Sequence, residues 1–229
     1  MNILGFNVGA VEVISYGGAA AFCGFLIWRD AARSKGLQQV GAAAGLAPVA
    51  QDVEDLPEGL LALPLFSLGD RRALENTMWG EEQSFVVFDF EYSKIHRHRF
   101  ETRPGSLRRT DFVQTVCAVH VPGGDIPEFT LAPAGLGDAF LGLFGGRDID
   151  FAQDPKFSKD YLLRGPDPDA IGRLFARGAA RFLGENPGWT VQGRGEWIVY
   201  YRDERTVAPE ELTKFLWEAK AVHSSFFGG

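Results

Sequence analysis

Within Ser84 to Tyr92 (SFVVFDFEY), apolar and polar residues alternate from Phe88 onward. Val86, Phe88, Phe90 and Tyr92 take one face, while Asp89 and Glu91 take the other. A period of two is the mark of a strand with one buried face. Val113, Thr115, Cys117, Val119 and Val121 repeat that spacing between Phe112 and Val121 and predict a second strand. The residues between the two strands, Lys94 to Arg109, are broken by Pro104 and Gly105 and read as an extended hairpin arm. Phe129 and Leu131 lie between Pro127 and Pro133, which predicts a short edge strand, since proline cannot donate to an interior ladder.

The helical period takes over further along. Leu136 to Phe144 predicts a short helix closed by Gly145 and Gly146. After Gly165, Asp167 suits an N-cap, Pro168 a first turn and Gly184 a stop, and Ile171, Leu174, Phe175 and Phe182 form the apolar face. Arg173, Arg177 and Arg181 line the opposite stripe. A hairpin follows: Trp189 to Gln192, a Gly193-Arg194-Gly195 turn, then Glu196 to Arg202. A last helix starts at Pro209 and buries Leu212, Phe215, Leu216 and Ala219. Strands come in hairpins rather than alternating singly with helices. The pattern therefore predicts an α+β fold of antiparallel sheet hairpins packed with helices.

Ahead of this domain, Val11 to Trp28 (VEVISYGGAAAFCGFLIW) carries no charge after Glu12, and Arg29, Arg33 and Lys35 follow at once. About 20 apolar residues cross a bilayer as a helix, and Gly9 to Trp28 meets that length with Glu12 at the headgroups. Met1 to Val8 has no basic residue, which excludes a cleavable signal peptide. The basic flank places the N-terminus outside and the rest in the cytoplasm. Gly17 with Ala21, and Ala20 with Gly24, have the small-residue spacing that lets membrane helices dimerise. Arg29 to Leu46 predicts a helical stalk with Leu37, Val40 and Ala44 on one side, ending near Gly45 and Pro48. Gln51 to Gly59, with four acids and Pro57, reads as a linker. The expected organisation is an N-terminal transmembrane anchor over residues 1–28, a helical stalk and acidic linker over 29–59, and a cytoplasmic α+β domain over 60–229.

Composition supports a packed core: 45% of the 229 residues are hydrophobic and 19 are Phe, which excludes wholesale disorder. Two cysteines, one in the anchor and one in a strand, leave no disulfide framework. Charge changes the picture more. The chain is net −7, yet Lys94, Arg97, Arg99, Arg103, Arg108 and Arg109 crowd the arm against one acid, Glu101. An acidic protein with one concentrated basic loop fits an anionic membrane lipid or an acidic protein partner. Nucleic acid fits poorly, because the acidic body would repel phosphates outside the arm.

A further set of residues occurs in fixed order: Leu65-Phe66 with Gly69 and Arg71, Asn76 and Gly80, Pro127-x-Phe129-x-Leu131-x-Pro133, Asp148-Ile149-Asp150-Phe151, Phe157-Ser158-x-x-Tyr161-x-Leu163-x-Gly165, and Trp197 through Tyr201. This series resembles an uncharacterised family of bacterial proteins with one N-terminal membrane helix and a cytoplasmic domain. The resemblance implies a bacterial inner-membrane setting and supplies no catalytic residue.

Candidate chemistry is sparse. Asp148-x-Asp150 could share a divalent cation, but no third carboxylate is tied to them by spacing. His96 and His98 lack the further ligands zinc needs, and Arg97 and Arg99 would repel a cation. Gly135-x-Gly137 before a helix lacks the third glycine of a dinucleotide loop, with Phe140 in its place. Phe157 and Tyr161, four apart, read as a core pair. No catalytic residue, metal ligand or cofactor is assigned. The sequence favours a membrane-anchored binding or scaffold domain over the alternative, a tethered hydrolase or transferase with Asp148 and Asp150 in a dispersed site.

Overall fold

The computed structural model describes residues 28–80, 84–97, 107–135, 148–151 and 153–228. Eight antiparallel strands form one sheet: β1 (Ala47–Pro48), β2 (Arg71–Trp79), β3 (Phe85–Arg97), β4 (Leu107–His120), β5 (Ile126–Pro133), β6 (Tyr161–Arg164), β7 (Thr190–Gly195) and β8 (Trp197–Tyr201). Their order is β1-β2-β3-β4-β8-β7-β5-β6. An N-terminal meander, β1 to β4, thus meets the C-terminal strands where β8 pairs with β4, from Val116↔Tyr201 to His120↔Trp197. The fold is α+β.

Among the described residues the helices are α1 (described over 28–43), α2 (Glu58–Leu61), α3 (Pro155–Asp160), α4 (Pro168–Phe175), α5 (Ala179–Glu185) and α6 (Leu212–Phe227). One face of the sheet packs Val87, Cys117, Phe129, Leu131, Val191 and Tyr200 against α1 and α3 to α6. The other face buries Val86, Phe88, Phe90, Tyr92, Val199 and Tyr201 beneath the Val53–Leu68 segment. The alternation in β3 and β4 thus separates two apolar layers, and each fully buried Phe or Val contributes about 1.5–3 kcal/mol.

Several expectations are corrected. The helix predicted as a stalk is packed on the sheet: Leu37 and Leu46 are in the core, and a Cβ at Gly41 would lie 2.5 Å from Met78 Sδ. The acidic stretch is no loose linker either, because it buries Val53 and Leu56 and begins α2. The folded unit therefore includes residues 28–59. Strand β5 is interior, between β7 and β6. It tolerates its prolines because Pro127 falls at a register shift and Pro133 at the strand end. Asp167 does cap α4, accepting from Ala170 N at 2.9 Å. The single helix expected beyond it is two, α4 and α5, divided at Gly178, whose φ of 140° no regular helix allows. Gly184 lies within α5 against Phe157 and does not end it. The β7–β8 turn lies one residue later than expected, at Gly195-Glu196, since Arg194 pairs with Trp197.

Among the described residues no helix is long and apolar enough to cross a membrane. All of the expected anchor except Trp28, and the short helix expected from Leu136 to Phe144, lie outside the described residues.

Candidate functional site

The hairpin arm is anchored by the longest strand pair of the sheet. The β3–β4 ladder runs unbroken from Phe85↔Val119 to Arg97↔Leu107, so the basic cluster sits at one end of the sheet. Of its six basic side chains, those of Lys94 and Arg109 are described; Arg99 and Arg103 lie outside the described residues, as do the side chains of Arg97 and Arg108. The Lys94 ammonium lies 5.2 Å and 5.1 Å from the ring centroids of Tyr92 and Phe112, a cation–π contact that holds it over these two rings. Arg109 is exposed on the opposite face.

Two further cations reach this end from β2, which the sequence pattern did not assign. Arg71 and Arg72 pair with Ser93 and Tyr92. With Arg109 they border a recess of about 300 Å³ that also holds Glu91 and Asp111. Arg72 donates to the Phe66 carbonyl, so it also ties the β2 end to the segment covering the second face. Burial, reinforced by Glu75 and Asp111, pushes the Glu91 carboxyl up from its ordinary value. The Arg71 guanidinium opposes that shift.

The course of α1 relates this end to the N-terminus. Arg33 contacts Asp89, Gly41 contacts Met78 beside Val87, and Ala44 reaches the recess that Phe85 lines. Helix α1 thus runs antiparallel to β3. Its first described residues, Trp28 and Arg29, point toward the same end as the arm.

Arg33 itself is turned inward. Its Nη1 and Nη2 donate to Asp89 at 2.7 and 3.2 Å, and Nη2 and Nε also donate to the Val207 carbonyl. Asp89, 1% exposed, further accepts from Asn76 Nδ2 at 2.7 Å and Thr115 Oγ1 at 2.5 Å. Asn76 adopts φ 53° at the β2 bulge to reach it. Alternation placed Asp89 on the less apolar face of its strand. What covers that face is α1, and one acid there accepts four hydrogen bonds from three residues.

The other sequence candidates are not brought together. Asp148 is paired with Arg164 at 2.7 Å, while Asp150 is exposed. No group of three His, Cys, Asp or Glu that could hold a metal occurs among the described residues. His98 lies outside them, as does the side chain of His96. Burial pushes the Cys117 thiol up to about 12, so it stays protonated. Gly135 is described but its helix is not. Phe157 and Tyr161 stack in the core with centroids 5.4 Å apart.

No family model matches the chain, and no curated protein matches it. A solved structure does: the mycobacterial trehalose monomycolate transport factor A, at TM-score 0.54 and 13% identity, over 83% of this chain and 90% of that one. At that identity the likeness concerns the fold.

Proposed function

We propose that this chain is a membrane-anchored binding or scaffold domain of a bacterial inner membrane. Residues 9–28 would span the bilayer with the N-terminus outside, and the α+β domain would face the cytoplasm. The observation that carries the reading is that α1 leads back to the end of the sheet where the β3–β4 ladder reaches Arg97↔Leu107. A tether entering there brings Lys94, Arg109, Arg71 and Arg72, with Arg97, Arg99, Arg103 and Arg108 of the arm, to the anionic leaflet. Each basic residue near such a surface contributes about 1 kcal/mol, and tethering lets weak contacts act at high effective concentration. The structural neighbour is named a transport factor, which is consistent with a binding or scaffold role.

Vesicle co-sedimentation of the chain from Trp28 onward tests this. Binding should require anionic lipid, weaken as salt rises, and fall when Arg97, Arg99, Arg108 and Arg109 become Gln. Equal binding to neutral vesicles, or none at low salt, would overturn the leaflet contact. A cysteine at the exposed Lys35 that labels with an impermeant reagent in intact cells would overturn the orientation.

A further inference from the structure

At the other end of α1 and β3, away from the arm, lies a cleft of about 560 Å³ between the sheet and α6. Its walls are Phe85, Cys117, Val119, Leu216 and Ala219, and Trp217 stands at the mouth with 67% of its surface exposed. A shallower apolar trough between α1 and α6, along Val40, Ala43 and Thr213, continues from it. A cleft of this size with apolar walls and few polar groups is the usual form of a small-molecule site. Its polar groups are all neutral or basic: among the described lining residues there is no carboxylate, in a chain of net charge −7. His120 is held by Glu196 at 3.3 Å and His223 by the Tyr200 hydroxyl at 2.9 Å. Lys220, one helical turn beyond Leu216 and 5.7 Å from the Trp217 ring centroid, is the rim cation.

We propose that this cleft binds a long-chain carboxylate, with the alkyl chain along Val119, Leu216 and Trp217 and the headgroup against Lys220. An apolar trough with one lysine at its rim matches the two ends of such a molecule: the walls remove the chain from water, and the ammonium forms a charge-assisted hydrogen bond with the carboxylate. The inference is separate from the leaflet contact, since the cleft and the arm lie at opposite ends of β3.

Photocrosslinking with a diazirine-bearing palmitate, using the full-length chain in nanodiscs and mass spectrometry of its peptides, tests the proposal. Adducts should fall on the α6 and β4 peptides, be competed by palmitate, and be competed poorly by hexadecanol. Lys220→Glu, at an exposed position, should cut labelling about tenfold, and Val119→Trp should abolish it by filling the cleft. Thermal melts of both variants confirm that they are folded. Adducts confined to residues 1–27, equal competition by the alcohol, or labelling unchanged in Lys220→Glu would overturn the proposal. So would labelling that appears only after residues 1–27 are removed, or that falls as protein concentration rises, because the occupant would then be this chain's own segment or a second copy.

Discussion

The two faces of β3 are sealed by different physics. Toward the Val53–Leu68 segment the strand shows an unbroken apolar row, and Phe66, Phe90, Tyr92 and Phe112 form a ladder with successive centroids 5.3, 5.8 and 5.1 Å apart. The fully buried polar link there is neutral: Gln192 accepts from Leu65 N at 2.8 Å and donates to the Tyr201 hydroxyl at 3.0 Å, while the Arg72 bond to the Phe66 carbonyl lies toward the end of the sheet. Toward α1 the strand carries Val87 and then Asp89, whose charge fixes the helix, the β2 bulge, β4 and the residue 207 loop at once. An apolar face holds its cover by area and tolerates small shifts. A buried charge holds it by geometry, and loses much when one partner goes.

The largest expected effect follows from that contrast. Asp89→Ala leaves Arg33, Asn76 and Thr115 without their shared acceptor, and breaking a buried pair in this way costs about 3–5 kcal/mol. Denaturant unfolding should show that loss. The double variant Arg33→Met with Asp89→Leu should recover part of it, since no buried charge is then stranded. A loss below about 1 kcal/mol for Asp89→Ala would mean the acid does not clamp α1.

On the other face the corresponding change should cost less. Gln192→Leu keeps the volume and removes the acceptor of Leu65 N, an unsatisfied buried donor worth about 1–3 kcal/mol. If it matched or exceeded Asp89→Ala in the same titration, the distinction between the two faces would fail.

These residues also show what could be read from the sequence and what could not. Alternation gave β3 and β4, their pairing as a hairpin and the face on which Phe88 and Phe90 lie, but it did not mark β1, β2 or β6. It could not say that both faces of β3 are covered, because the covers are remote in sequence: α1 on one side and Val53–Leu68 on the other. Asp89 therefore looked like a solvated acid. The same remoteness made α1 look like a stalk, although Leu37 and Val40 already marked its inner stripe. The cleft had one visible signal. Leu216 and Trp217 lie off the buried row of α6 at Leu212, Phe215, Ala219, Val222 and Phe226, and an apolar stripe wider than the core needs points to a second contact. Arg71 and Arg72 gave no signal, since only strand pairing brings them to the arm.

Where β8 leads into the residue 207 loop, Asp203 tests burial without a partner. Its Oδ1 is buried and has no hydrogen-bond partner among the described residues. Burial, with Glu204 adding to it and Lys94 opposing, pushes its pKa up to about 6. A carboxyl raised in the folded state binds its proton more tightly than in the unfolded chain, so stability falls as pH rises from about 4 through 6 and is lowest above that window. Asp203→Asn should therefore stabilise the protein at pH 7 by about 1 kcal/mol, allowing for the solvent that still reaches the group. The difference should vanish by pH 4, and a gain that persists there would assign it to something other than the charge.

The smallest effect on stability, and the sharpest test of the comparison, is expected at Lys94, five residues beyond Asp89 on the same strand. Its ammonium rests half-buried over Tyr92 and Phe112, with no counter-ion among the described residues as close as in the Arg33–Asp89 pair, and a cation–π contact near the surface contributes about 0.5–1 kcal/mol. Lys94→Gln should shift the unfolding midpoint only slightly. On anionic vesicles the same variant should weaken binding by several-fold, because each basic residue at such a surface is worth about 1 kcal/mol. Asp89→Asn, where it remains folded, should show the reverse: reduced stability with unchanged vesicle binding. One strand would then carry a charge that organises the fold and a charge that meets the membrane. If Lys94→Gln instead destabilised the protein as Asp89→Ala does, with no change in binding, the arm would be part of the core architecture and the leaflet contact would lose its support.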